Sequence, residues 1–165
     1  MKTVIVYYSL DGNTKQAAEA LAKATGADIC PIEPVKPIVS AGRPTLRVLM
    51  QGGGQVTLGL CPKIREFPLD LGSYDRIILG TPVWAGKPAS FVRTFVKKYA
   101  KRHQLTGKIT AVFTLSASGD DSGCIAALRK LLPDIETTVS LTDKSSPHAA
   151  ENERKTAGFA QSLSD

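Results

Sequence analysis

The chain has 165 residues, 42% of them hydrophobic, and carries 21 Lys and Arg against 15 Asp and Glu for a net charge of +6. That length suits one domain with a sizeable core, and its longest apolar runs are strand-sized, which argues against a membrane span. Three scattered cysteines, Cys30, Cys61 and Cys124, form no CxxC pair and no Cys/His ligand spacing, which argues against a zinc site or a disulfide framework. Reduced thiols, and an N-terminus that enters a strand-like run with no signal peptide, fit a cytoplasmic protein. The positive charge favours anionic ligands or surfaces in a general way. The basic residues are dispersed, however, and the one dense cluster, VKKYAKRH at 96–103, falls at a predicted helix end, where the helix dipole favours cations. Nucleic acid is therefore not expected as a partner.

In chain order, residues 3–8 read as a continuous apolar strand. Residues 13–24 read as a helix with apolar positions at 17, 18, 21 and 22, and Gly26 stands where a helix stop belongs. ADICPIEP (27–34) is a second strand with alternation at Ile29 and Ile32. A Pro- and Gly-rich stretch follows over 34–72, with one helix near Thr45–Gln51 ended by Gly52-Gly53-Gly54. YDRIILGTP (74–82) is a third buried strand, and PASFVRTFVKKYAKR (88–102) an amphipathic helix with Pro88 in its first turn. KITAVFTLSA (108–117) is a fourth strand, DSGCIAALRKLLP (121–133) a helix stopped by Pro133, IETTVSLTD (135–143) a fifth strand, and HAAENERKTAGFAQSL (148–163) the last helix. Strands alternate with helices throughout, and several strands are uniformly apolar, as strands covered on both faces must be. One α/β domain over 1–165, with a parallel sheet and helices on each side, is the expected architecture.

Ligands of such sheets bind at the carboxyl ends of the strands, so the loops there hold the candidate site. Loop 9–14 joins the first strand to the first helix. Unpaired N–H groups at the helix start suit a phosphate, Gly12 lets the backbone approach it, and Ser9, Asn13 and Thr14 add short donors. The same residues also read as an ordinary capped turn. No Gly-x-Gly-x-x-Gly follows the first strand, and GTPVWAGKP has one residue too many between its glycines for a P-loop, with Pro88 in place of the magnesium-binding hydroxyl. GTPVWAGKPAS (80–90) is expected as a tight loop carrying Trp84, the only tryptophan, either as a stacking platform for a flat heterocycle or folded over the sheet edge. SASGDDSG (116–123) offers backbone N–H groups to a ring edge, or simply caps the next helix.

These residues carry a resemblance. IVYYSLDGNTKQAAEAL (5–21) resembles the phosphate-binding segment of flavodoxins, and YDRIILGTPVWAGKPASFVRTF (74–95) is similar to the second flavin loop of flavodoxin-like proteins. The order of elements fits that family along the whole chain. The resemblance implies a three-layer flavodoxin-like open sandwich, a five-stranded parallel sheet of order 2-1-3-4-5 and one non-covalent FMN. It implies that Ser9, Leu10, Asp11, Gly12, Asn13 and Thr14 surround the FMN phosphate, with Ser9, Gly12, Asn13 and Thr14 as its ligands. Pro82, Val83, Trp84, Ala85 and Gly86 would lie beside the isoalloxazine, with Trp84 stacked on it. Ser116, Ala117, Ser118 and Gly119 would meet its pyrimidine edge. Three features depart from the family pattern. Asp11 replaces a hydroxyl residue, so it should point outward or cap the helix. The third loop has no aromatic to cover the second ring face. The chain is basic where electron-carrying flavodoxins are acidic.

The leading functional reading is an FMN-binding electron-transfer protein that serves a redox partner protein or a small-molecule acceptor. The alternatives are an FMN-dependent NAD(P)H oxidoreductase acting on a quinone or other small acceptor, and a flavin-free binding module. No side chain is assigned as catalytic, because the flavin carries the chemistry. Asp120 and Asp121 read either as solvated helix-start residues or as carboxylates that oppose flavin reduction. Cys124 and Arg129 sit within a helix pattern rather than in a phosphatase loop, and neither His103 nor His148 has a visible catalytic partner.

Overall fold

The structure, a computed structural model, describes residues 1–38, 54 and 58–163. The predicted helix at 45–51 lies outside the described residues. β1 (Thr3–Tyr7), β2 (Asp28–Pro31), β3 (Arg76–Trp84), β5 (Ile109–Ser116) and β6 (Thr137–Thr142) form a parallel sheet of order β2-β1-β3-β5-β6. That path is the order expected of five strands. The count is six, because a short β4 (Lys87–Pro88) turns back antiparallel on β3. Pro88 thus belongs to β4 rather than to a helix.

Alternation along the strands splits the core in two. Val4, Val6, Ile77, Leu79 and Val112 face one side, while Ile5, Tyr7, Ile78, Ala111 and Phe113 face the other. The first side packs on α2 (Ser90–Thr94), on its continuation Phe95–Ala100 and on α3 (Ser122–Arg129), through Phe91, Phe95, Val96, Cys124 and Leu128. The second packs on α1 (Asn13–Thr25) and α4 (Asn152–Ser162), through Ala18, Leu21, Phe159 and Ala160. β1, β3 and β5 are apolar at nearly every position because both their faces are covered. β2, at the edge, buries Cys30 but leaves Ile29 exposed. The inward residues of this segment are therefore Cys30 and Ile32, not the expected Ile29 and Ile32. Gly80 sits at the centre, where a Cβ would collide with the Phe113 ring and come within 2.8 Å of the Tyr7 Cβ.

α1 ends at Gly26, whose φ of +69° lets its N–H reach the Ala22 carbonyl at 2.8 Å. α2 widens into a π-helix over Phe95–Ala100. The five-residue step turns Phe95 and Ala100 inward together and leaves Tyr99 half-buried against Phe67. Between β2 and β3, the described residues hold a bridge from Pro34 to Ile64 and a 3₁₀ turn at Leu71–Ser73. No helix among the described residues is long and apolar enough to cross a membrane.

Candidate functional site

The loops after β1, β3 and β5 gather at the carboxyl edge of the sheet. Loop 1 places Gly12 at the N-cap of α1 with φ +93°, and a Cβ there would meet nothing within 4 Å. Left-handed backbone and open space together form a concavity in front of the helix start. Ser9 folds into it, its Oγ accepting the Gly12 N–H at 3.1 Å. The Asp11 carboxylate accepts the Asn13 N–H at 3.2 Å and the Asn13 side-chain amide at 3.0 Å. It thus takes the capping option foreseen for it. Leu10 packs against the core and Thr14 is buried. The N–H groups of Thr14 and Lys15 have no acceptor among the described residues. A cleft of about 420 Å³ opens beside the loop, with Ser9, Leu10, Gly12 and Lys15 on one wall and Ile32, Glu33 and Pro34 on the other.

Loop 2 is a hairpin rather than a loop. β3 runs on through Pro82 and Val83 to Trp84, Ala85 and Gly86 form the turn at φ +48° and +69°, and β4 pairs back as Val83 with Pro88 and Trp84 with Lys87. Two positive φ values in a row are what a tight two-residue hairpin requires. The buried Thr81 clamps its base: the hydroxyl donates to the Pro82 carbonyl at 2.9 Å and accepts the Ala89 N–H at 3.1 Å. Trp84 is half-buried, with its ring perpendicular to Tyr8 at 5.6 Å between centroids, and Tyr8 leans in turn on Phe91 at 4.8 Å. The indole is therefore held against the core through Tyr8, with part of its surface left exposed.

Loop 3 consists of Ser116, Ala117, Ser118 and Gly119 and then Asp120 and Asp121. Its N–H groups are less available than expected. The Gly119 N–H is held by Ser116 Oγ at 2.8 Å and the Asp120 N–H by Ser118 Oγ at 3.2 Å, which leaves Ala117, Ser118 and, next to α3, Asp121 as the main-chain donors without an acceptor among the described residues. The Asp120 carboxylate accepts both the N–H and the hydroxyl of Ser122, and these bonds hold it below the usual carboxylate range. Asp121 accepts from Thr114 Oγ1 at 2.7 Å. Asp120 thus holds the start of α3, while the carboxylate of Asp121, the N-cap residue, turns to β5. From β6, Ser140 donates to the Gly119 carbonyl at 2.6 Å, and the Asp143 N–H donates to Ser116 at 3.1 Å.

Contacts between loops join these parts. A Cβ on Gly123, in the first turn of α3, would lie 2.7 Å from the Gly86 carbonyl oxygen, so the hairpin tip rests on the start of α3 beside loop 3. Trp84 and Tyr8 tie the hairpin to the end of β1. Burial, with the Asp11 charge adding to it, pushes the Asp143 carboxyl upward. Thr81, Gly123, Asp143 and Tyr8 were not among the sequence-derived candidates. Only Tyr8, an aromatic closing an apolar strand next to the loop, carried a sequence signal. Cys124 is buried, and burial pushes its thiol up to about 12, with Asp121 adding to the effect, which disfavours the thiolate form. Among the described residues, no group of three or more His, Cys, Asp or Glu could hold a metal ion.

Comparisons with known proteins agree with this fold. A Bacteroides eggerthii protein has 24% identity, covers 99% of this chain and 98% of its own, and superposes with a TM-score of 0.71. A flavoprotein from Lactobacillus acidophilus, solved in complex with FMN, has 21% identity over 94% and 98% of the two chains, with a TM-score of 0.65. A flavodoxin from Fusobacterium nucleatum, bound to flavin mononucleotide, has 14% identity over 99% and 98%, with a TM-score of 0.60. At these identities the likeness establishes the fold. The family described as Flavodoxin matches residues 2–151, nearly the whole sequence, and the chain belongs to the flavodoxin family.

Proposed function

We propose that this protein binds FMN across the three loops and works in electron transfer, in the cytoplasm, with a redox partner protein or a small acceptor. The observation that carries the reading is the convergence at one sheet edge of an open glycine-lined helix start, a propped indole and a small polar loop. The residues fit the cofactor. The space over Gly12 and the Thr14 and Lys15 N–H groups suit a phosphate on the positive end of α1. Ser9, Asn13 and Thr14 line the same start. Trp84 offers a flat partly exposed surface for the ring system, flanked by Pro82, Val83, Ala85 and Gly86 on the hairpin. Ser116, Ala117, Ser118 and Gly119 lie next to the hairpin tip, and the Ala117 and Ser118 N–H groups are available donors for a polar ring edge.

Bound FMN supplies reversible one- and two-electron transfer. The protein's part is placement. Thr81 and Gly123 fix the hairpin, Tyr8 fixes the tilt of Trp84, and the backbone donors of loop 3 favour added negative charge nearby. Asp120 and Asp121 are engaged by Ser122 and Thr114 and so act chiefly as structural acceptors.

One observation favours a second reading, an FMN-dependent NAD(P)H oxidoreductase. Loop 3 has no aromatic, so one ring face would stay open to a substrate. Anaerobic reduction of the FMN-loaded protein separates the two. A carrier is reduced by dithionite and reoxidised by an acceptor, and turns over NAD(P)H only when a separate reductase is added. Steady NAD(P)H oxidation by the protein alone, with a quinone acceptor, would replace the carrier reading with the reductase.

A further inference from the structure

Anions compete for helix starts because the unpaired N–H groups and the helix dipole favour negative charge of any origin. In loop 1 an anion from the chain itself is already seated. Asp11 takes the Asn13 main-chain N–H at 3.2 Å and one N–H of its side-chain amide at 3.0 Å. The Gly12 N–H is also engaged, by Ser9, so the main-chain donors left to an outside anion are those of Thr14 and Lys15. The surrounding charge adds to the bias. The negative charge of Asp11 is felt by Asp143, just past the end of β6, and Glu33 lines the cleft beside the loop. The nearest cation on that wall is Lys15, whose ammonium lies 3.8 Å from Glu19.

We infer that Asp11 is an internal competitor of the cofactor's phosphate: its carboxylate holds the Asn13 main-chain N–H and one amide N–H, and a phosphate gains these two only by displacing it. The inference rests on the FMN reading above and makes Asp11 a specificity-determining residue. It weakens a phosphorylated flavin and leaves an unphosphorylated one untouched, so it narrows the preference for FMN over riboflavin. Two effects act in the same direction. Donors regained by the phosphate form charge-assisted hydrogen bonds, and a like charge within a few ångströms of the phosphate is removed.

The test uses the full chain as wild type, Asp11→Asn and Asp11→Ser, titrated with FMN and separately with riboflavin while Trp84 emission and flavin fluorescence are followed. Asp11→Asn keeps an acceptor for the Asn13 N–H and removes the charge; Asp11→Ser keeps a capping hydroxyl. Both should tighten FMN about tenfold, the scale of one like-charge repulsion removed beside the phosphate, with riboflavin affinity unchanged within about twofold. An unchanged ratio of FMN to riboflavin affinity in both variants, at unchanged melting temperature, would overturn the proposal while leaving FMN binding intact. FMN binding that weakens in both variants would also overturn it, because Asp11 would then be helping to build the phosphate site. If neither flavin binds any of the three proteins, the FMN reading itself fails and this inference with it.

Discussion

Gly123→Ala tests how the hairpin is seated. The new Cβ would stand 2.7 Å from the Gly86 carbonyl oxygen, a backbone atom that cannot swing away as a side chain does. An ordinary carbon–oxygen contact needs the two to separate by about half an ångström, so either the hairpin tip lifts or α3 shifts. Overpacking of this kind costs about 1–3 kcal/mol. At the second residue of α3 alanine recovers only part of the ~1 kcal/mol by which it exceeds glycine in a helix interior, so the net loss should be about 1–2 kcal/mol. For a chain of this size that lowers the melting temperature by about 2–8 °C. Trp84 is the chain's only tryptophan and lies two residues from Gly86 on the same hairpin, so its emission reports on the displaced element with no competing signal. The expected result is a red shift as the indole loses its edge contact with Tyr8, together with the lower melting temperature. Unchanged emission with an equal or higher melting temperature would show that the hairpin does not rest on α3, and the joining of loops 2 and 3 would fall with it.

Three further outcomes follow from single residues. Thr81→Val should cost about 1–3 kcal/mol in urea unfolding, because it leaves the buried Ala89 N–H without its acceptor, whereas Thr81→Ser should recover most of that loss; equal stability of the two variants would remove Thr81 as the hairpin clamp. Asp143→Asn should stabilise the protein at pH 7. The carboxyl titrates near its ordinary 3.8 when unfolded and higher when folded, so its charge disfavours the fold above the folded pKa, and below the unfolded pKa both states hold the proton and the gain vanishes. Urea midpoints at pH 7 and at about pH 3 read this directly, and an equal gain at both would point to a cause other than ionisation. Under native conditions a disulfide reagent at pH 8 should label Cys61, which is partly exposed, and leave Cys30 and Cys124 intact until denaturant is added; rapid native labelling of Cys124 would contradict its burial.

The sheet was legible because β1, β3 and β5 are covered on both faces, and such strands must be apolar nearly throughout. The parallel order came with the resemblance, and the structure reproduces it. What stayed hidden was set by contacts distant in sequence. Nothing local shows that the chain passes straight through Pro82 to Trp84 and then turns on Ala85 and Gly86, because Ala85 is an unusual residue for a positive φ. The roles of Thr81 and Gly123 depend on what lies across from them, Ala89 in one case and Gly86 in the other. Pro88 reads as a helix start from the residues that follow it, yet it closes a strand pair with Val83. The three loops were found because each ends an apolar strand, while the number of N–H groups left open in loop 3 depended on how the Ser116 and Ser118 hydroxyls turn. Asp11 was singled out by its charge, and its grip on Asn13 followed from the local geometry of the helix start.

The most direct test of the central claim is an FMN titration of the purified full chain, with Trp84 emission and visible flavin absorption recorded together. The account predicts saturable quenching of Trp84 at one FMN per chain, accompanied by a shifted flavin spectrum, as the indole meets the ring. Unaltered Trp84 emission and an unshifted flavin spectrum at millimolar FMN would contradict it, leaving the flavodoxin fold in place without the cofactor at this edge of the sheet.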